Sequence, residues 1–149
     1  MLDRLFLGPA IDAVAETLKA APPGPVAVVD QPRLARGLAE RGLAVIAVGD
    51  DPRALKKLKV ERVQARPDAL PLADRRLAAI VGWGAGTRED WEPVIAEWSR
   101  AVADGGLVVM LDRADPSELS RRALCGGLAE LQQRPAGRLV VTSGVVTDL

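Results

Sequence analysis

Short apolar runs recur along the chain at intervals that leave room for a helix between each pair. Val26-Ala27-Val28-Val29-Asp30, Leu43–Val48, Leu77–Val81 and Leu107–Leu111 carry almost no polar alternation, and Arg62–Ala65 is a shorter, more polar segment in the same rhythm. Runs of β-branched and aliphatic residues without alternation suit strands buried on both faces, the situation of a parallel sheet covered by helices. Between them the apolar residues change to helical spacing. Ile11, Val14, Ala15 and Leu18 predict an amphipathic helix over 9–20, with Pro9 near its start and Leu2, Leu5 and Phe6 extending the same face. Leu34 and Leu38 mark a second helix over 33–41 that Gly42 closes, and Asp51-Pro52 starts a third carrying Ala54, Leu55 and Leu58. Trp91, Val94, Ile95, Trp98 and Val102 share one face of a helix from Glu89 to Val102, which places both tryptophans in the core.

Turn residues punctuate the same scheme. Ala21-Pro22-Pro23-Gly24-Pro25 is a connector, because each proline removes a donor and fixes φ. Gly82-Trp83-Gly84-Ala85-Gly86 predicts a flexible loop after the fourth strand, and Asp104-Gly105-Gly106 a tight turn into the fifth. Asp115-Pro116-Ser117-Glu118 has the residues of a capping box and starts a helix that ends near Cys125. Leu128–Gln133 and Arg138–Thr142 form a hairpin around Arg134-Pro135-Ala136-Gly137. The expected fold is therefore α/β: a three-layer sandwich with a Rossmann-like, mostly parallel sheet and a C-terminal antiparallel hairpin. One domain over 1–149 is expected, with 1–24 as N-terminal helix and Pro-rich connector and 25–149 as the Rossmann-like core.

Composition narrows the chemistry. With 149 residues, of which 48% are hydrophobic, the chain suffices for one core. Twenty basic and 20 acidic residues balance to zero, so neither nucleic acid nor an anionic membrane is an expected partner. No apolar run reaches the length of a membrane span or a signal-sequence core, and the expected compartment is the cytoplasm. Histidine is absent, which excludes Ser-His-Asp and Cys-His catalysis and histidine-bearing zinc sites, and no metal site is expected. Cys125 stands alone and is expected to pack as a small buried or half-buried thiol.

Ligands in such sheets bind beyond the carboxyl ends of the strands, at the reversal of strand order. There the first strand is unusual: from Val26 to Arg36 no glycine occurs, although a nucleotide-binding turn needs close backbone approach. Three other segments carry a resemblance. Leu38-Ala39-Glu40-Arg41-Gly42, Asp68-Ala69-Leu70-Pro71-Leu72-Ala73-Asp74, and the stretch Glu97–Val109 with its double glycine are similar to the class I S-adenosylmethionine (SAM)-dependent methyltransferases, particularly small metabolite methyltransferases. The similarity runs from about Ala10 to Ser143.

That resemblance implies three cofactor determinants, and the sequence departs from each. The glycine-rich loop around the methionine part of SAM is replaced by Val28, Asp30 and Pro32 in ungapped register. Gly49 stands where a carboxylate would hold the ribose hydroxyls, in Val48-Gly49-Asp50-Asp51-Pro52. Arg66 stands where an acidic residue would accept from the adenine amino group, and a guanidinium has no acceptor. At about 1–3 kcal/mol for each lost contact, ordinary SAM affinity would fall by powers of ten. The expectation is a methyltransferase-like pseudoenzyme without cofactor or catalytic residue, serving as a protein-interaction or regulatory module with a protein partner or as a homodimer.

The alternative is an active SAM-dependent methyltransferase on a small molecule, with Asp30, Asp50 or Asp51, and Asp68 as replacement acceptors. Trp83 either fills the emptied pocket or packs within its loop, or, in this alternative, stacks on a flat ligand. A response-regulator receiver fits less well, because the third strand ends in Ala65-Arg66 with no aspartate to phosphorylate. A basic stripe of Arg33, Arg36, Arg41 and Arg53–Lys59 is the one feature that would suit nucleic acid.

Overall fold

A computed structural model describes residues 2–147, with side chains from Leu7 onward. Its elements follow the order α1 (Leu2–Leu18), β1 (Val26–Val29), α2 (Pro32–Glu40), β2 (Val45–Gly49), α3 (Pro52–Lys56), β3 (Glu61–Gln64), β4 (Leu77–Trp83), a 3-10 turn (Ala85–Thr87), α4 (Trp91–Ala101), β5 (Val102–Asp112), α5 (Pro116–Cys125), β6 (Ala129–Ala136) and β7 (Leu139–Val145). The seven strands form one sheet in the order β3-β2-β1-β4-β5-β7-β6. The first five are parallel to their neighbours, whereas β7 runs antiparallel to both β5 and β6. The strand order reverses between β1 and β4, which opens a crevice at their carboxyl ends.

Alternation within the buried strands feeds two apolar layers. Val26 and Val28 of β1 join α1 and α2 on one face through Val14, Leu34 and Leu38. Ala27 and Val29 face the other way, with Ile80, Ile95, Trp98 and Met110 among the residues of that layer. All four residues of β1 are buried, which is why the strand shows no polar alternation. The arrangement is the expected three-layer α/β sandwich with a mostly parallel sheet and an antiparallel C-terminal hairpin.

Several local expectations shift. Pro9 lies inside α1 rather than near its start, and the side chains of Leu2, Leu5 and Phe6 fall outside the described residues. Gly82 and Trp83 belong to β4, not to the loop that follows it. Gly82 is required there because an added Cβ would lie 1.9 Å from the fully buried Trp98 ring. The Asp104-Gly105-Gly106 turn is an irregularity within β5, with Gly105 at φ +83° and its amide donating to the Val146 carbonyl at 2.8 Å. Asp115 caps α5 by accepting from the Ser117 amide, whereas Glu118 pairs with Arg121 and Arg122 instead of closing a capping box. Cys125 is exposed, contrary to the expected buried thiol, because it ends α5 on the helix side that faces solvent.

The hairpin turn also lies further along than expected. β6 continues through Arg134, Pro135 and Ala136, and the reversal falls at Gly137-Arg138, where Gly137 takes φ +62°. Proline is accommodated because β6 is an edge strand. The same strand shifts register between Ala129 and Gln132, with Glu130 at φ +47°. At the opposite edge β3 is only four residues long and mostly exposed.

Gly82→Ala is expected to destabilise the protein by about 3 kcal/mol or more, because the Trp98 ring has no room to withdraw from a close-packed layer. Urea denaturation followed by circular dichroism measures this, and a loss below about 1 kcal/mol would show that the ring can move.

Candidate functional site

The carboxyl ends of β1 and β2 bring Asp30, Gly49, Asp50 and Asp51 together. A recess of about 120 Å³ is lined by Asp30, Pro32, Gly49, Asp50, Asp51 and Leu55, among others. Asp30 takes φ +60°, the left-handed conformation that a glycine would ordinarily supply, and its amide donates to the Val48 carbonyl at 2.9 Å. Aspartate is among the few residues that tolerate this conformation. The turn is thus closed without glycine, and Pro32 opens α2 immediately afterwards with Gln31 as its N-cap residue.

The three carboxylates are not equivalent. Desolvation raises the Asp30 carboxyl above its ordinary range, with the negative charge of Asp50 adding to the rise and Arg88 opposing it. Asp51 is committed to α3, where its Oδ1 accepts from the Arg53 amide at 2.9 Å. Asp50 is exposed at the mouth of the recess. At Gly49 an added Cβ would make only ordinary contacts, the nearest at 3.6 Å to Leu55, so space does not require glycine at this position.

Arg66 and Asp68 lie beyond β3. Arg66 Nη2 donates to Asp68 Oδ2 at 3.2 Å, while Asp68 Oδ1 is buried without a hydrogen-bond partner. The surrounding loop is fastened to α4. Trp98 Nε1 donates to the Pro67 carbonyl at 2.9 Å, the Leu70 amide to Glu97 Oε2 at 2.7 Å, and Arg100 to the carbonyls of Leu70 and Leu72. Glu97 is held below the usual carboxylate range, chiefly by its hydrogen bond from Arg100.

Arg88 is the principal member of this site that the sequence did not reveal. It grips Asp90 through two hydrogen bonds, Nε to Oδ1 at 2.6 Å and Nη2 to Oδ2 at 3.0 Å. Its positive charge is also felt by Asp30, and the charges of Asp30 and Asp68 in turn raise its own proton affinity. Asp90 is lowered chiefly by its hydrogen bond from Arg88, with Arg66 contributing. The crevice therefore carries its own counter-ions: two guanidiniums set among Asp30, Asp68 and Asp90. The signal available in the sequence was the charged run Arg88-Glu89-Asp90 directly after the glycine-rich segment.

Trp83 stands apart from that group. It lines a second cavity, of about 640 Å³, between the ends of β4 and β5 and the β6–β7 turn. Asp112, the last residue of β5, lies in its wall and is 2% exposed. Neither of its carboxylate oxygens has a hydrogen-bond partner, and Oδ2 would lie 2.8 Å from a Cβ on Gly86. Burial pushes this carboxyl up to about 6, although the Gly86 and Thr87 amides, the Thr87 hydroxyl and the Arg122 charge, close by but outside hydrogen-bonding geometry, pull in the opposite direction. The 3-10 turn that covers Asp112 is secured from two sides. Arg122 donates to the Gly86 carbonyl at 2.8 Å, and the Gly84 amide donates to the Leu111 carbonyl at 2.7 Å.

Of the five residues proposed from the sequence, Asp30, Asp50 and Asp51 share the recess. Asp68 joins only through the charges of Arg88, and Trp83 faces elsewhere. Among the described residues, no group of three or more His, Cys, Asp or Glu side chains could hold a metal ion, and no helix is long and apolar enough to cross a membrane.

Solved structures with this architecture are SAM-dependent methyltransferases in many cases. One from Thermotoga maritima superposes with a TM-score of 0.75 at 15% identity, over 97% of this chain and 93% of that one. The glycopeptide N-methyltransferase MtfA gives a TM-score of 0.78 at 13% identity over 93% and 90%. A Haloferax volcanii methyltransferase solved with the Trm112 methyltransferase activator gives 0.72 at 13% identity over 98% and 94%. No protein-family model and no curated protein matches the sequence. The chain has the fold of the class I SAM-dependent methyltransferases.

Asp112 supplies a pH signature. Its carboxyl binds a proton more tightly in the folded chain, at about 6, than the ordinary aspartate value of 3.8. Its contribution to stability is therefore fully present below about pH 4 and is lost as pH rises through about 6, a change of about 3 kcal/mol. Asp112→Asn is expected to be more stable than the parent at pH 7.5 and equal to it at pH 4. Chemical denaturation at the two values tests this, and an equal offset at both would assign the effect to packing.

Proposed function

We propose that this chain is a methyltransferase-fold protein that has lost SAM binding and acts as a non-catalytic protein-interaction or regulatory module. The observation that carries this reading is the recess beyond β1 and β2. At about 120 Å³ it is well below the roughly 300 Å³ at which small-molecule pockets begin. The residues present also fit SAM poorly. Gly49 offers no carboxylate to a ribose, Arg66 no acceptor to an adenine, and Asp51 is already spent as a helix cap. Nearby, Arg66 is paired with Asp68 and Arg88 with Asp90. A protein partner accords with the fold relative from Haloferax volcanii, which was solved together with an activator protein.

A second reading is an active methyltransferase on a small molecule. It draws support from the SAM-dependent activity named for several fold relatives, and from the convergence of Asp30 and Asp50 at the strand-order reversal. Isothermal titration with SAM separates the two. The first reading expects no binding tighter than about 1 mM, whereas a micromolar constant would establish the second. Gly49→Asp combined with Arg66→Glu restores two acceptors, and is expected to strengthen SAM binding at least tenfold if the vacated contacts limit affinity.

A further inference from the structure

The cavity of about 640 Å³ is not part of the cofactor crevice, and its chemistry is different. Its size falls within the roughly 300–1,000 Å³ of small-molecule pockets. Sheet register builds its apolar wall. Trp83 on β4 pairs with Leu111 on β5, and Ala136 pairs with Leu139 where the hairpin turns. Trp83 and Leu139 are only partly buried, so indole and aliphatic surface stays open to whatever enters. Two cations complete the lining: Arg113, immediately after β5, and Arg138, in the hairpin turn.

These two arginines differ from most others in the chain. Arg41, Arg66, Arg76, Arg88, Arg100 and Arg121 all pair with carboxylates. Among the described residues, Arg113 and Arg138 are exposed and have neither an ion pair nor a side-chain hydrogen bond. Among the described residues the one acidic side chain in the wall, Asp112, does not answer them: both its oxygens are buried, and it is turned onto Gly86 beneath the 3-10 turn. An apolar, aromatic-walled cavity with two unanswered guanidiniums is complementary to an amphipathic anion. A planar apolar body would lie against Trp83, Leu111 and Leu139, and a carboxylate would accept hydrogen bonds from the guanidiniums.

We propose that this cavity binds a small aromatic carboxylate, held by Trp83 through its ring and by Arg113 and Arg138 through its charge. The site does not depend on the state of the SAM crevice, because the two cavities share no lining residue among the described residues.

The test uses three probes of one shape on the full chain by isothermal titration: 2-naphthoate, uncharged 2-naphthamide and cationic 2-naphthylmethylammonium. The acid is expected to bind with a submillimolar constant, the amide at least tenfold more weakly, and the cation more weakly still. In the Arg113→Gln/Arg138→Gln double variant the acid is expected to fall to the affinity of the amide, while the amide itself is unchanged. Trp83→Leu is expected to weaken acid and amide alike. Arg121→Gln, which removes a paired arginine outside the cavity, is expected to change neither. Because the two arginines are exposed, thermal unfolding of the double variant is expected to match the parent and to show that the fold is intact. Equal affinities for the three probes, an acid affinity untouched by the double variant, or no acid binding at about 5 mM would each overturn the proposal.

Discussion

Trp98 ties the two halves of the carboxyl edge together. Its ring lies over Gly82 of β4, where only the absence of a Cβ allows so close an approach, and its Nε1–H reaches the Pro67 carbonyl beyond β3. One side chain thereby fixes the spacing between the sheet, α4 and the loop that precedes β4. The polar contacts from Glu97 and Arg100 to Leu70 and Leu72 reinforce the same junction from the next turns of the helix. Arg66 and Asp68 lie on the connection over 65–76, which α4 holds at Pro67, Leu70 and Leu72.

The crevice at the strand-order reversal is shaped by the turn after β1. The turn after β1 retains the left-handed residue that such turns need, but supplies it with Asp30 and starts α2 at once. Beside it, Arg66 pairs with Asp68 and Arg88 with Asp90. Each exposed pair contributes little to stability.

Strand positions and layer structure were legible because β1, β2 and β4 are buried on both faces and leave uninterrupted apolar runs. Errors came where one residue type serves two purposes. Gly82 and Gly84 look alike as loop glycines, yet the first admits a tryptophan within a strand and the second turns left-handed at φ +72°. Pro135 suggests a turn and sits in an edge strand. At the site, position along the chain was enough to bring Asp30 and Asp50 together, but it could not show that Asp51 caps a helix or that Trp83 faces another cavity. Arg88 escaped notice because its reach to Asp30 depends on how the 3-10 turn folds back over the sheet, a relation between elements far apart in sequence.

The two rims of the sheet also limit how copies of this chain can meet. β6 carries a proline, a register shift and a left-handed Glu130, while β3 offers only four residues, two of them the charged Glu61 and Arg62. Neither presents a long, flat row of amides and carbonyls for a new strand to join. The molecule is in this respect protected from indefinite sheet growth at high concentration.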